Sequence, residues 1–152
     1  MDNSNFFSDN FHKEMILDIK KMPKEQALDL LIKTMCQDKR ILDIHSFKQS
    51  IISREMLMST GIGNGIAIPH ARLDSLEGLL IGMLRCKEGI PYESIDDKPV
   101  HFIFMIASSK DNDKGYLKFL ASLTAKLKQD EMLEKLISAE TTEDIYEILI
   151  NP

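Results

Sequence analysis

Arg54, the alternating glycines Gly61, Gly63 and Gly65, and His70 directly behind Pro69 crowd into one stretch, SREMLMSTGIGNGIAIPHARL. Each residue type brings its own chemistry. A neutral imidazole is a nucleophile at physiological pH, since its ordinary pKa is near ~6.5. A guanidinium grips phosphoryl oxygens through its planar fork. Successive backbone N–H groups in a glycine-rich turn can converge on one anion. Together they describe a place where His70 could receive a phosphoryl group covalently, with Arg54 on its oxygens. Gly63 and Gly65 can take positive φ, and Pro69 biases Ile68 to extended geometry, stiffening the approach to His70. The plainer reading is a tight turn entering a strand, with Arg54 a surface arginine paired to Glu55 or Glu14.

Nucleotide-binding readings of the glycines fail at named residues. A P-loop needs Lys and then Ser or Thr directly after its last glycine, where this chain has Ile66 and Ala67. A dinucleotide fingerprint would need glycine at position 66. The other histidines, His12, His45 and His101, form no metal-ligand spacing with His70, so no metal is expected. His12 and His45 are expected in water, and His101 at the head of an apolar strand. No G-x-S-x-G occurs, and Cys36 and Cys86 lie in apolar contexts that favour inert thiols.

The positioning elements follow from the hydrophobic pattern. The chain has 152 residues, 43% hydrophobic and 28% charged, which suits one globular domain. Nineteen Lys and Arg against 24 Asp and Glu give a net charge of −5, which argues against nucleic-acid binding. Two cysteines suggest a reducing cytoplasm rather than a disulfide framework. Neither a signal peptide nor an apolar run near the ~20 residues of a membrane span is present, so a cytoplasmic location without membrane insertion is expected.

Residues 1–14 are expected to form a variable leader, and residues 15–150 a single domain. MILDI (15–19) predicts a short strand. Pro23 opens a helix with Ala27, Leu28, Leu31, Ile32 and Met35 inward. Asp43 caps a second helix with Ile44, Phe47, Ile51 and Ile52 inward. GIAIP reads as a very short strand. LLIGMLRC (79–86) and VHFIFMIA (100–107) are continuous apolar runs that suit central strands covered on both faces. After the polar loop SSKDNDKG come three helical patterns, the last capped by Thr141 or Thr142. The expected class is α/β, a single-domain layered sandwich.

The stretch around His70 resembles the active-site signature of the type-2 enzyme IIA domains of the bacterial phosphoenolpyruvate-dependent sugar phosphotransferase system (the fructose/mannitol family). The block STGIGNGIAIPH, placed four residues after Arg-Glu, is most similar to the nitrogen-regulatory branch. PKEQALDLLIKTM, IPYESIDDKPVHFIFMI and YLKFLASLTAKL resemble further family segments, so the likeness runs from about residue 15 to 149. It implies a mixed β-sheet flanked by helices and a histidine phosphoryl carrier acting without metal or cofactor. His70 would be phosphorylated on Nε2 by an HPr-type phosphocarrier or its nitrogen-branch homologue. Arg54 would hold the phosphoryl oxygens, and Thr60, Gly61, Gly63, Asn64 and Gly65 would line the phosphate pocket.

Many members carry a second active-site histidine, and Tyr116 stands at that position. A phenol donates a hydrogen bond but shares protons poorly, since its ordinary pKa is near ~10. The lone chain favours a regulatory role, in which phosphorylation changes binding to target proteins. Two other readings remain open: a degenerate, non-catalytic binding module, and a sugar-specific IIA subunit serving a separate permease.

Overall fold

The structure, a computed structural model, describes residues 8–74, 76–111, 113–129 and 131–151. The two long apolar runs lie side by side as β5 (Leu79–Ile90) and β6 (Val100–Ser109), paired antiparallel with Ile81 opposite Ile106. Side chains alternate across a strand, so each run feeds two cores. Leu80, Leu84, Ile103 and Met105 face one layer. Ile81, Met83, Phe102 and Phe104 face the other. Both faces are covered, which is why neither strand shows a polar period.

The first layer holds α1 (Lys24–Met35) and α2 (Ile44–Leu57). The five expected inward residues of α1 are buried. Pro23 is its N-cap, in extended conformation, rather than a residue of its first turn. Asp43 caps α2 as expected, accepting from the backbone N–H of His45 and Ser46. Phe47 and Ile51 are buried and Ile52 is partly buried, but Ile44, expected inward, is 40% exposed.

The second layer holds α3 (Asp113–Leu127), α4 (Met132–Ser138) and α5 (Thr142–Ile150). Thr141 closes a capping box with Asp144 at the start of α5. The expected polar loop is shorter than its sequence, since β6 runs to Ser109 and α3 begins at Asp113. Asn112 of that loop and Asp130 lie outside the described residues.

The first strand, β1 (Phe11–Ile19), is longer than MILDI and runs parallel to β5. Phe11 is buried, with its ring edge-on to Tyr146 of α5. Residues 1–7 of the expected leader lie outside the described residues. Three short strands complete the sheet: β2 (Gly61–Gly63), β3 (Ile66–Ala67) and β4 (His70–Leu73). The order is β1-β5-β6-β3-β2, with β4 also pairing β6. The sheet is therefore mixed, as expected. β3 and β4 are two parts of one path along β6, interrupted at Pro69, which has no N–H to give the ladder.

A fully buried arginine, Arg85, breaks the apolar run of β5. Its Nε and Nη2 donate to the carboxylate of Asp18 on β1 at 3.1 and 2.7 Å. Its Nη1 donates to the carbonyls of Leu136 and Ala139 at the end of α4. The guanidinium thus replaces its hydration with partners from two other elements.

Candidate active site

The glycines form a hairpin. Asn64 and Gly65, with φ of 57° and 78°, make the two-residue turn between β2 and β3. Two successive positive φ angles mark the primed turns that match strand twist, and Asn-Gly is their preferred sequence. Gly61 has a different reason. A Cβ there would come within 2.9 Å of the Cα of Ser94, so glycine lets the segment after β5 lie against β2.

His70 opens β4 at the rim of the sheet. Ala71 and Leu73 point into the first layer, so His70 and Arg72 point to the opposite face, toward α3. Tyr116 in the first turn of α3 meets it there, ring centroids 4.9 Å apart and planes tilted by 39°. Arg54 reaches the same place from the last turn of α2, with Nη1 donating to the Met58 carbonyl at 2.9 Å. A guanidinium has five N–H donors, so the fork keeps donors for an incoming group. Arg54, Thr60, Gly61, His70 and Tyr116 line one cavity of about 630 Å³.

Gly63, Asn64 and Gly65 stand apart from that cavity, in the hairpin turn. Three backbone N–H groups of this stretch serve the chain's own side chains. The Thr60 N–H donates to Glu55, the Gly61 N–H to Ser59 and the Asn64 N–H to Asp96. Arg54 brings positive charge to the cavity.

Desolvation pushes the His70 pKa below the ordinary imidazole value, and Arg54 and Arg72 push the same way. The Ile68 backbone and Glu55 oppose them without prevailing. The ring is neutral at physiological pH. Its Nδ1 is buried and meets no partner of full hydrogen-bond geometry among the described residues. Burial raises the Tyr116 pKa, so its phenol keeps its proton. His101 Nδ1 donates to the Cys86 carbonyl, 3.1 Å away, and the ring is a packing residue of β6. His12 and His45 are exposed.

Sequence reasoning missed Glu55, Lys24, Tyr92 and Arg72. Glu55 is buried under the cavity wall and pairs with Lys24 rather than Arg54. The one signal for Arg72 was its place two residues after His70, which puts both on one face of a strand. Apolar groups also gather at the mouth: Met58, Ile62 and Ile95 line the cavity yet are more than half exposed, and Leu117 adjoins Tyr116. Among the described residues no helix is long and apolar enough to cross a membrane.

Residues 10–151 match the family model described as "Phosphoenolpyruvate-dependent sugar phosphotransferase system, EIIA 2". The chain is 35% identical over 133 residues to the fructose-specific EIIABC component of that system from Bacillus subtilis, covering 88% of this chain and 21% of the relative. It is 31% identical over 126 residues to a fructose-specific EIIA component from Haloferax volcanii, covering 83% of this chain and 82% of that one. In structure it is similar to the nitrogen regulatory protein IIA-Ntr from Neisseria meningitidis, with a TM-score of 0.84 and 25% identity over 93% of this chain and 97% of the other.

Proposed function

Since the chain belongs to the type-2 EIIA family of the phosphoenolpyruvate-dependent sugar phosphotransferase system, we propose that it carries a phosphoryl group on His70 and regulates target proteins by its phosphorylation state. The donor is the phosphohistidine of an HPr-type protein. The observation that supports this reading best is the meeting of a neutral His70, Arg54 and Tyr116 at one cavity.

The transfer is an in-line displacement at phosphorus. The Nε2 lone pair of His70 attacks, its ring proton residing on Nδ1, and the donor P–N bond breaks as the new P–N bond forms. The donor nitrogen keeps the electron pair of the broken bond. Like bonds are exchanged, so no nucleotide or metal is required, and positioning and charge carry the rate. Arg54 offers its fork to the phosphoryl oxygens. Tyr116 donates its O–H to one of them as a neutral partner. The exposed apolar residues at the mouth suit burial against a protein donor.

Incubation with phosphoenolpyruvate, enzyme I and an HPr-type carrier, followed by intact mass measurement, tests the reading. The expected result is an acid-labile gain of one phosphoryl group that His70→Ala abolishes. No gain, under conditions that phosphorylate an established EIIA protein, overturns the carrier reading in favour of a non-catalytic binding module.

A further inference from the structure

Beneath the cavity wall lies a carboxylate that the transfer just described does not use. Glu55 is 8% exposed, at the end of α2 beside Arg54. Its Oε1 accepts from the Thr60 N–H at 2.9 Å, and its Oε2 from the Thr60 hydroxyl at 2.6 Å. The Lys24 ammonium lies 2.9 Å from Oε1 and sits 4.2 Å from the centroid of the Tyr92 ring. The Tyr92 hydroxyl is 3.1 Å from the Thr60 hydroxyl. Thr60 spends its proton on Glu55, so Tyr92 is the donor in that pair. Tyr92 keeps its proton, since burial and the Glu55 charge both raise its pKa.

The circuit joins the start of α1, the end of α2, the segment entering β2 and the segment after β5. What it fixes is Thr60 and its neighbours Ser59 and Gly61, one wall of the His70 cavity. A wall needs no ionised group. Burying a carboxylate carries a desolvation penalty that its partners must offset, and apolar packing could close the same gap. The charge has a second effect that packing would not have. Glu55 acts on His70 against Arg54 and Arg72, while Lys24 neutralises it from the far side, beside a separate cavity. Besides Arg54 and His70, the titratable groups lining the His70 cavity among the described residues are Tyr116 and Glu93.

We propose that Glu55, held by Lys24, is a positioning residue for phosphoryl acceptance: it locks Thr60 and the cavity wall in place and sets the charge that His70 and its incoming phosphoryl group meet. The proposal rests on the carrier reading for its kinetic consequence alone. Its electrostatic consequence stands without any transfer.

The experiment pairs a His70 ring titration by NMR with acceptance kinetics, in Glu55→Gln, Lys24→Met and wild type, with folding checked by thermal melts. Glu55→Gln is expected to move the His70 pKa down and Lys24→Met to move it up, because the second leaves Glu55 uncompensated. Opposite directions distinguish a charge effect from simple loosening, which would move both one way. Glu55→Gln should also lower the acceptance rate at saturating donor by about tenfold with little change in KM, the split expected when geometry rather than docking is lost. Thr60→Ser, which keeps the hydroxyl, should retain the rate that Thr60→Val loses.

Unchanged His70 titration in folded Glu55→Gln and Lys24→Met overturns the proposal, as does an unchanged rate in Glu55→Gln. If Glu55→Gln does not fold, Lys24→Met decides alone: no upward shift sinks the idea. If wild type accepts no phosphoryl group, the carrier reading fails, and the titrations still decide whether Glu55 governs His70.

Discussion

The neutral ring of His70 sets the pH window of the site. Its pKa is depressed by desolvation first and then by Arg54 and Arg72, so the nucleophilic form persists below the ordinary imidazole value. Phosphoryl acceptance, measured as initial rate against pH, is expected to hold through pH 6.5 and fall only at more acidic values. Stability follows the same sign. Below the ordinary value the unfolded chain takes up the proton first, so stability declines as pH falls, and His70→Asn should remove that part of the decline. Tyr116 poses the complementary question. Tyr116→His puts a proton-sharing ring in place of the phenol that lies 4.9 Å from His70, between centroids. Transfer from the phosphorylated chain to an acceptor protein should rise; an unchanged rate means the phenol does not limit transfer. Arg54, His70 and Tyr116 were legible in the sequence because a glycine-and-proline block surrounds His70 and the resemblance placed the other two. Glu55 was not, since a glutamate following an arginine on a helix reads as a solvated pair, and its partner Lys24 comes from another element.

At the scale of elements, α2 carries both Arg54 and Glu55 at its C-terminal end while Asp43 caps its start. Asp43→Ala is expected to cost about 1 kcal/mol in urea unfolding and to leave His70 chemistry unchanged, because the lost cap lies at the far end of the helix. The helices and the two long strands were readable because their periods extend over many residues. β1 announced itself only in part: Phe11 precedes a polar trio that masks the start of the strand. β2 and β4 span four residues or fewer, too few to show a period, while β3 falls within the short strand expected at GIAIP. Pairing with β6, not local pattern, makes β3 and β4 strands, and that pairing aims His70 at α3.

Across the whole molecule, a chain of net charge −5 presents a mouth flanked by Arg54 and Arg72 and fringed with apolar groups. In the proposed transfer such a contrast would guide an anionic group on a protein donor and then offer that surface area to bury. Ile95 is 83% exposed, so Ile95→Asp should leave the melting temperature within a degree or two yet weaken acceptance from a protein donor about tenfold in kcat/KM. Equal kcat/KM in the two proteins would remove the apolar mouth from donor recognition. The layered sandwich was legible from apolar runs that show no polar period. The mouth was not, because its residues come from α2, β2, α3 and the segment after β5.

Arg85 carries one further consequence, for the order in which the chain can fold as it is made. Its partners are Asp18, synthesised long before it, and the carbonyls of Leu136 and Ala139, synthesised long after. A nascent chain that has placed β1 against β5 still holds a guanidinium with half its partners missing. Desolvating the guanidinium before α4 arrives would leave those donors unpaired, so water is expected to stay around Arg85 until α4 docks. The buried arginine thus ties the closing of this part of the core to the docking of α4.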